Sequence, residues 1–142
     1  MQFISKKDNK IDLTINSKDF YEFIKGYLIW DTNKTLSIRL KDKLSNYSNE
    51  FLIGFTRGLM DTDGFLNDSN VVCACISIKL MDNLAEIFAK FNIKTSRTVV
   101  KGKENKKDLF YVRVLKEGLT EYQNLVGFSN GYKQEKLKNI LK

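Results

Sequence analysis

Two aspartates, Asp61 and Asp63, close the run Phe51-Leu-Ile-Gly-Phe-Thr-Arg-Gly-Leu-Met-Asp-Thr-Asp-Gly64 and are the residues of this chain best suited to do chemistry. The run opens as a helix: Phe51, Leu52, Phe55 and Leu59 fall at helical spacing, and Ser48 or Asn49 can cap its start. Gly64 suits a left-handed C-cap. Both carboxylates then sit at a helix C-terminus, each opposing the macrodipole by roughly 0.3–1 kcal/mol. A divalent cation is the obvious compensating charge, and hard cations take carboxylate and carbonyl oxygens. Gly54 and Gly58 lie four apart and strip one helix face of side chains. Each costs about 1 kcal/mol against Ala. Close approach of a second helix backbone is the usual reason to keep them.

The elements that must position this run follow from periodicity. Before it, Ile11, Leu13 and Ile15 alternate with Asp12 and Thr14 as a half-buried strand. Ser17 caps a short helix with apolar face Phe20, Phe23, Ile24 and Tyr27, and Leu36, Ile38 and Leu40 alternate as a second strand. After Gly64 come a short strand at 65–67, a turn at 68–70 and a strand at 71–78. Leu80, Leu84, Ile87, Phe88 and Phe91 define an amphipathic helix. Strands at 95–101 and 109–115 flank a basic loop, 102–108. Leu119, Tyr122, Leu125 and Val126 make another helical face, and 133–142 close as a basic helix with Leu137, Ile140 and Leu141 inward. Residues 11–40 and 74–100 both run strand, helix, strand, a weak internal repeat.

Thr56-Arg-Gly-Leu-Met-Asp-Thr-Asp-Gly64 resembles the LAGLIDADG motif of homing endonucleases and inteins. The order from residue 48 is αββαββα, that of a half-domain in that family, whose four antiparallel strands form a saddle over DNA. The resemblance implies an α+β fold with a LAGLIDADG half-domain at 46–142, preceded at 1–45 by a partial βαβ repeat that looks like the tail of a second half-domain. One motif with about one and a half repeats departs from the family. Either two chains dimerise through the helix of Gly54, Gly58 and Asp61, or the chain is a remnant or fragment of a two-motif protein. The resemblance further implies that Asp63 reaches the scissile phosphates through Mg²⁺ (or Mn²⁺), that the Thr62 carbonyl also coordinates, and that Asp61 buttresses the turn. Val126-Gly-Phe-Ser-Asn-Gly-Tyr-Lys-Gln-Glu-Lys-Leu137 resembles the family segment that carries an active-site lysine, with Lys133 the best match and Lys136 the second.

Strand alternation then suggests how DNA would be read. Phe110, Val112 and Val114 face the core, leaving Tyr111 and Arg113 outward; Arg97 and Lys101 share a face, as do Cys73, Cys75, Ser77 and Lys79. Outward Arg and Lys can pair with guanine acceptors in the major groove. Lys103, Lys106 and Lys107 would contact phosphates.

Composition agrees with a polyanionic partner: the 142 residues carry a net charge of +7. Histidine is absent and only Cys73 and Cys75 are present, which excludes His-dependent triads and leaves too few ligands for zinc. A disulfide between these two strand neighbours is geometrically poor, so both are expected as thiols. Apolar runs fall short of a membrane span and the N-terminus does not read as a signal peptide, so the chain is expected to be intracellular. Asp61-Thr-Asp63-Gly resembles the start of haloacid-dehalogenase-type phosphatases, but that motif follows a buried strand. Gly54, Arg57 and Gly58 fit a helix instead. An EF-hand fails because the glycine falls at loop position four. The expected function is Mg²⁺-dependent, site-specific double-strand DNA cleavage by a homodimer. The alternative is a non-cleaving nucleic-acid binder, an RNA maturase or regulator, or an inactive remnant.

Overall fold

The computed structural model describes the backbone of residues 2–7 and 10–142, and side chains from residue 14 on. Met1 and the burial of Ile11 and Leu13 lie outside the described residues. Helix α3 (Asn49–Thr62) is the centre of the fold, where the motif was read. Ser48 caps it, its hydroxyl accepting from Phe51 N at 3.1 Å.

Downstream of α3 the order is β5 (Gly64–Leu66), β6 (Val71–Cys75), α4 (Ile78–Lys90), β7 (Thr95–Val100), β8 (Leu109–Val114), α5 (Leu119–Leu125) and α6 (Gly131–Leu141). This is the expected αββαββα succession followed by α6, the basic helix expected at 133–142. The strands form one antiparallel sheet in the order β5-β6-β8-β7. Val71, Cys73, Val112 and Val114 point from one sheet face into a core shared with Met60, Leu84, Phe88, Tyr122 and Leu137, so the helices cover that face. Asn67 turns the β5–β6 hairpin without glycine, its side chain accepting from Asn70 N at 3.1 Å.

Two local expectations are corrected. Gly64 does not adopt a left-handed conformation; Asp63 ends the helix in the right-handed region (φ −98°, ψ −10°). Glycine is needed there because a Cβ would collide with the Met60 carbonyl. Strand β6 stops at Cys75, short of residue 78, because Ser77 leaves the sheet to cap α4, its hydroxyl accepting from Leu80 N at 3.3 Å. Local capping overrides the strand pattern of Ile76 and Ile78.

The N-terminal segment holds a hairpin, β1 (Gln2–Lys7) with β2 (Lys10–Ile15), then α1 (Lys18–Lys25), β3 (Leu28–Ile29), α2 (Lys34–Ser37) and β4 (Arg39–Leu40). Ser17 caps α1 as expected, yet no α1 residue is buried; Phe20 and Phe23 are 48% and 59% exposed. The strand expected over 36–40 is helix at Leu36 and Ser37, because Asn33 caps α2 by accepting from Leu36 N at 3.3 Å. Only Arg39 and Leu40 pair, with Ile29 and Leu28.

The segment is joined to the half-domain through α4. Leu40 N donates to Asn83 Oδ1 at 2.9 Å, and the fully buried Ser77 hydroxyl donates to Ile38 O at 2.8 Å. Leu40 packs with Leu52 and Ile87. Ser77 therefore caps a helix and anchors a neighbouring chain segment with one oxygen. Ser77→Ala removes both bonds and leaves the Ile38 carbonyl unmet. A loss of about 2 kcal/mol is expected in urea unfolding; a loss under about 0.5 kcal/mol would show that the hydroxyl holds neither. Among the described residues no helix is long and apolar enough to cross a membrane.

Candidate functional site

Helix α3 presents three faces with separate tasks. Leu52, Thr56 and Met60 are its buried face. A second face reaches α5 and α6: Arg57 Nε donates to Val126 O at 2.6 Å and Arg57 Nη2 to Leu125 O at 3.4 Å, capping the carbonyl end of α5. On the same side, Asp61 Oδ1 accepts from Ser129 N at 2.9 Å and Asn130 N at 3.2 Å, at the start of α6. The third face carries Gly54 and Gly58, where an added Cβ would meet nothing within 4 Å. They line an open groove of about 630 Å³, bordered by Phe55 and Leu59 of α3 and by Leu28 and Ile38 of the N-terminal segment, with Asp63 also on its wall.

The last turn of α3 is held by Lys133. Its ammonium donates to the carbonyls of Met60 (3.1 Å), Asp61 (2.6 Å) and Gly64 (2.6 Å), so all three N–H groups are engaged. Electrostatics at the turn thus differ from the sequence expectation of two uncompensated acids. Asp61 is compensated by backbone N–H groups at a helix N-terminus, and the α3 carbonyls by Lys133. Asp63 is exposed, and its carboxylate and the Thr62 carbonyl have no hydrogen-bond partner among the described residues. These two oxygens are of the type that hard cations take. Among the described residues no three His, Cys, Asp or Glu side chains converge, and with Asp61 engaged by Ser129 and Asn130 the turn offers one free carboxylate, that of Asp63.

Cys73 lies beneath this turn, opposite Gly64 in the sheet register. Burial, and next the negative charge of Asp63, push its thiol up from 9.0 to about 12, with Lys133 opposing. Both cysteines are free thiols. The folded chain keeps the Cys73 proton where the unfolded chain releases it. Stability is therefore full below pH 9 and falls as pH rises toward 12. Between pH 8 and 10 the wild type is expected to lose about 1 kcal/mol more in urea unfolding than Cys73→Ala does. Equal losses would contradict the assignment. Tyr122, also raised chiefly by burial, adds a slope of the same sign in both proteins.

A family model described as a LAGLIDADG-like domain matches residues 50–127, more than half of the chain, from α3 through α5. The chain belongs to the LAGLIDADG family. Its α+β fold from α3 onward is a LAGLIDADG half-domain. The chain is also similar to the replication factor C small subunit of Methanocaldococcus jannaschii, 26% identical over 137 residues; the match covers 96% of this chain and 7% of that protein.

On the LAGLIDADG sheet, register sorts the residues expected to meet DNA. Arg113 and Tyr111 lie on the face away from the helices, opposite Val72 and Ala74 of β6 and Ser96 and Thr98 of β7. Arg97 is corrected: it pairs with Val112, so it shares the helix-covered face, and its Nη1 sits 2.5 Å from Asp82 Oδ1 on α4. Ser77 is corrected as well, being fully buried with its hydroxyl engaged. Lys79 lies in the first turn of α4 rather than on a strand, 3.9 Å from Asp31. Lys101 follows β7 and bonds Asp108 at 3.0 Å. The Asp108 carboxyl is held below its usual range by the Gly102 N–H and then by Lys101. Lys103, Lys106 and Lys107 are exposed in the loop. Sequence reasoning missed Phe65, Ser96, Thr98 and Val100 on the open face. The β8 alternation gave a signal for that strand only; Thr-Ser-Arg-Thr-Val-Val in β7 alternates too weakly to set its own faces.

Proposed function

We propose that this chain is a site-specific double-strand DNA endonuclease, dependent on Mg²⁺ or Mn²⁺, that acts inside the cell as a homodimer with its active site between two copies of α3. The observation that carries the reading is the pair of free oxygens, Thr62 carbonyl and Asp63 carboxylate, at the end of a helix face kept bare by Gly54 and Gly58. One carboxylate per chain is too few for a two-ion site; two copies meeting along the groove supply two. Bound metal would stabilise the attacking and leaving oxygens of the phosphodiester.

The chain's own residues divide the remaining work. Asp63, through its carboxylate, and Thr62, through its carbonyl, would hold the metal. Lys136 is exposed, 5.0 Å from the Tyr132 ring centroid, with no ion pair among the described residues, and its ammonium is free to meet a phosphate. Arg113, half-buried on the open sheet face, carries a guanidinium of the kind that meets DNA acceptors. Tyr111 flanks it, and Lys101, Lys103, Lys106 and Lys107 give salt-dependent affinity for the backbone. Residues 1–45 we read as a partial βαβ repeat, of which Leu28, Lys34, Thr35 and Ile38 wall the groove. A non-cleaving RNA maturase or DNA regulator is the second reading, favoured by the engagement of Lys133 with backbone carbonyls.

The deciding experiment selects bound duplexes from a randomised library in Ca²⁺ and then adds Mg²⁺. Defined double-strand ends support the endonuclease. Binding without ends favours the second reading.

A further inference from the structure

We propose that Lys133 is a positioning residue that selects which oxygens of the motif turn remain free for the metal; this rests on the endonuclease reading above. The geometry is reciprocal. Asp61 of α3 accepts from the N–H groups of Ser129 and Asn130 at the start of α6, and Lys133 in the first turn of α6 donates back to the end of α3. Lys133 is itself placed by the α6 cap, its N–H donating to Asn130 Oδ1 at 3.1 Å. By taking the carbonyls of Met60, Asp61 and Gly64, the ammonium removes the acceptors on either side of Thr62 and Asp63. The backbone around those two residues is thereby tied on both sides. With its three N–H groups filled, the ammonium is not available to a phosphate.

The sign of one measurement separates this role from a purely electrostatic one. An ammonium near a cation site repels the cation, so deleting its charge without other change tightens metal binding. A positioning group does the opposite: losing it loosens the ligand oxygens, and loss of such supporting partners typically weakens metal affinity about 10–100-fold. Mn²⁺ is titrated into the full-length chain, following Mn²⁺-induced broadening of the Gly64 amide signal, for wild type, Lys133→Met, Lys133→Arg and Asp63→Asn. Lys133→Met is expected to weaken Mn²⁺ binding about 10–100-fold. Lys133→Arg keeps the charge and the fold, but its planar fork cannot serve three converging carbonyls, so affinity falls several-fold. Unchanged or tighter binding in both Lys133 variants, with Asp63→Asn still impaired, overturns the positioning role alone. Unchanged binding in Asp63→Asn overturns the metal reading and this inference with it.

Discussion

Asp63→Asn is expected to reduce DNA cleavage by at least about 10²–10³-fold, the scale on which one preorganised charge-stabilising group acts. Duplex binding in Ca²⁺ should persist, because the sheet face and the loop lysines are untouched. Stability should hold or rise by up to about 1 kcal/mol, since an exposed carboxylate without a partner opposes the C-terminal end of α3. Loss of activity with no loss of stability is the mark of a residue kept for chemistry. Asp61 provides the contrast within the same turn: its carboxylate is bonded to two backbone N–H groups, so Asp61→Asn should lower stability. Gel cleavage beside urea unfolding reads both effects. Wild-type cutting rates in Asp63→Asn would end the proposed role of this residue.

Gly58→Leu is expected to abolish the dimer and cleavage together while leaving the single chain folded. Nothing lies within 4 Å of a Cβ at residue 58, so the added side chain starts in the open space of the groove. Removing a helical glycine should instead stabilise the chain by up to about 1 kcal/mol. The side chain would stand in the groove where the second α3 must approach. Sedimentation equilibrium should give twice 16.5 kDa for wild type and 16.5 kDa for the variant. A dimer of unchanged mass in Gly58→Leu would show that the chains do not meet through this face.

Several parts of this protein were legible because their signal is local. Helix α3 announces itself through the spacing of Phe51, Leu52, Phe55 and Leu59 behind the Ser48 cap, and α4 through Leu80, Leu84, Ile87 and Phe88. The αββαββα order follows from such windows, each a few turns or one hairpin long. Even there local rules competed. Ser77 sits in an alternating apolar run yet caps a helix, and Leu36 begins an apparent strand that Asn33 turns into α2.

By itself the sequence determined the motif helix, its bare glycine face, the two acids at its end and the basic surplus. Each of these is set by residue type and spacing within one element. The motif resemblance gave Asp63 to the metal and Asp61 to the turn, but only the tertiary structure showed what engages Asp61 and leaves Asp63 free. Asp61 and Asp63 are indistinguishable by local rule, and the N–H groups that engage Asp61 lie 68 and 69 residues away. The same holds for Arg97 and Arg113. Both are arginines on strands of one hairpin, but the β7–β8 register turns Arg97 toward Asp82 and Arg113 to the open face. A strand's alternation says which residues share a face. Which face is covered by helices depends on pairing across the sheet, and that is a property of the folded chain.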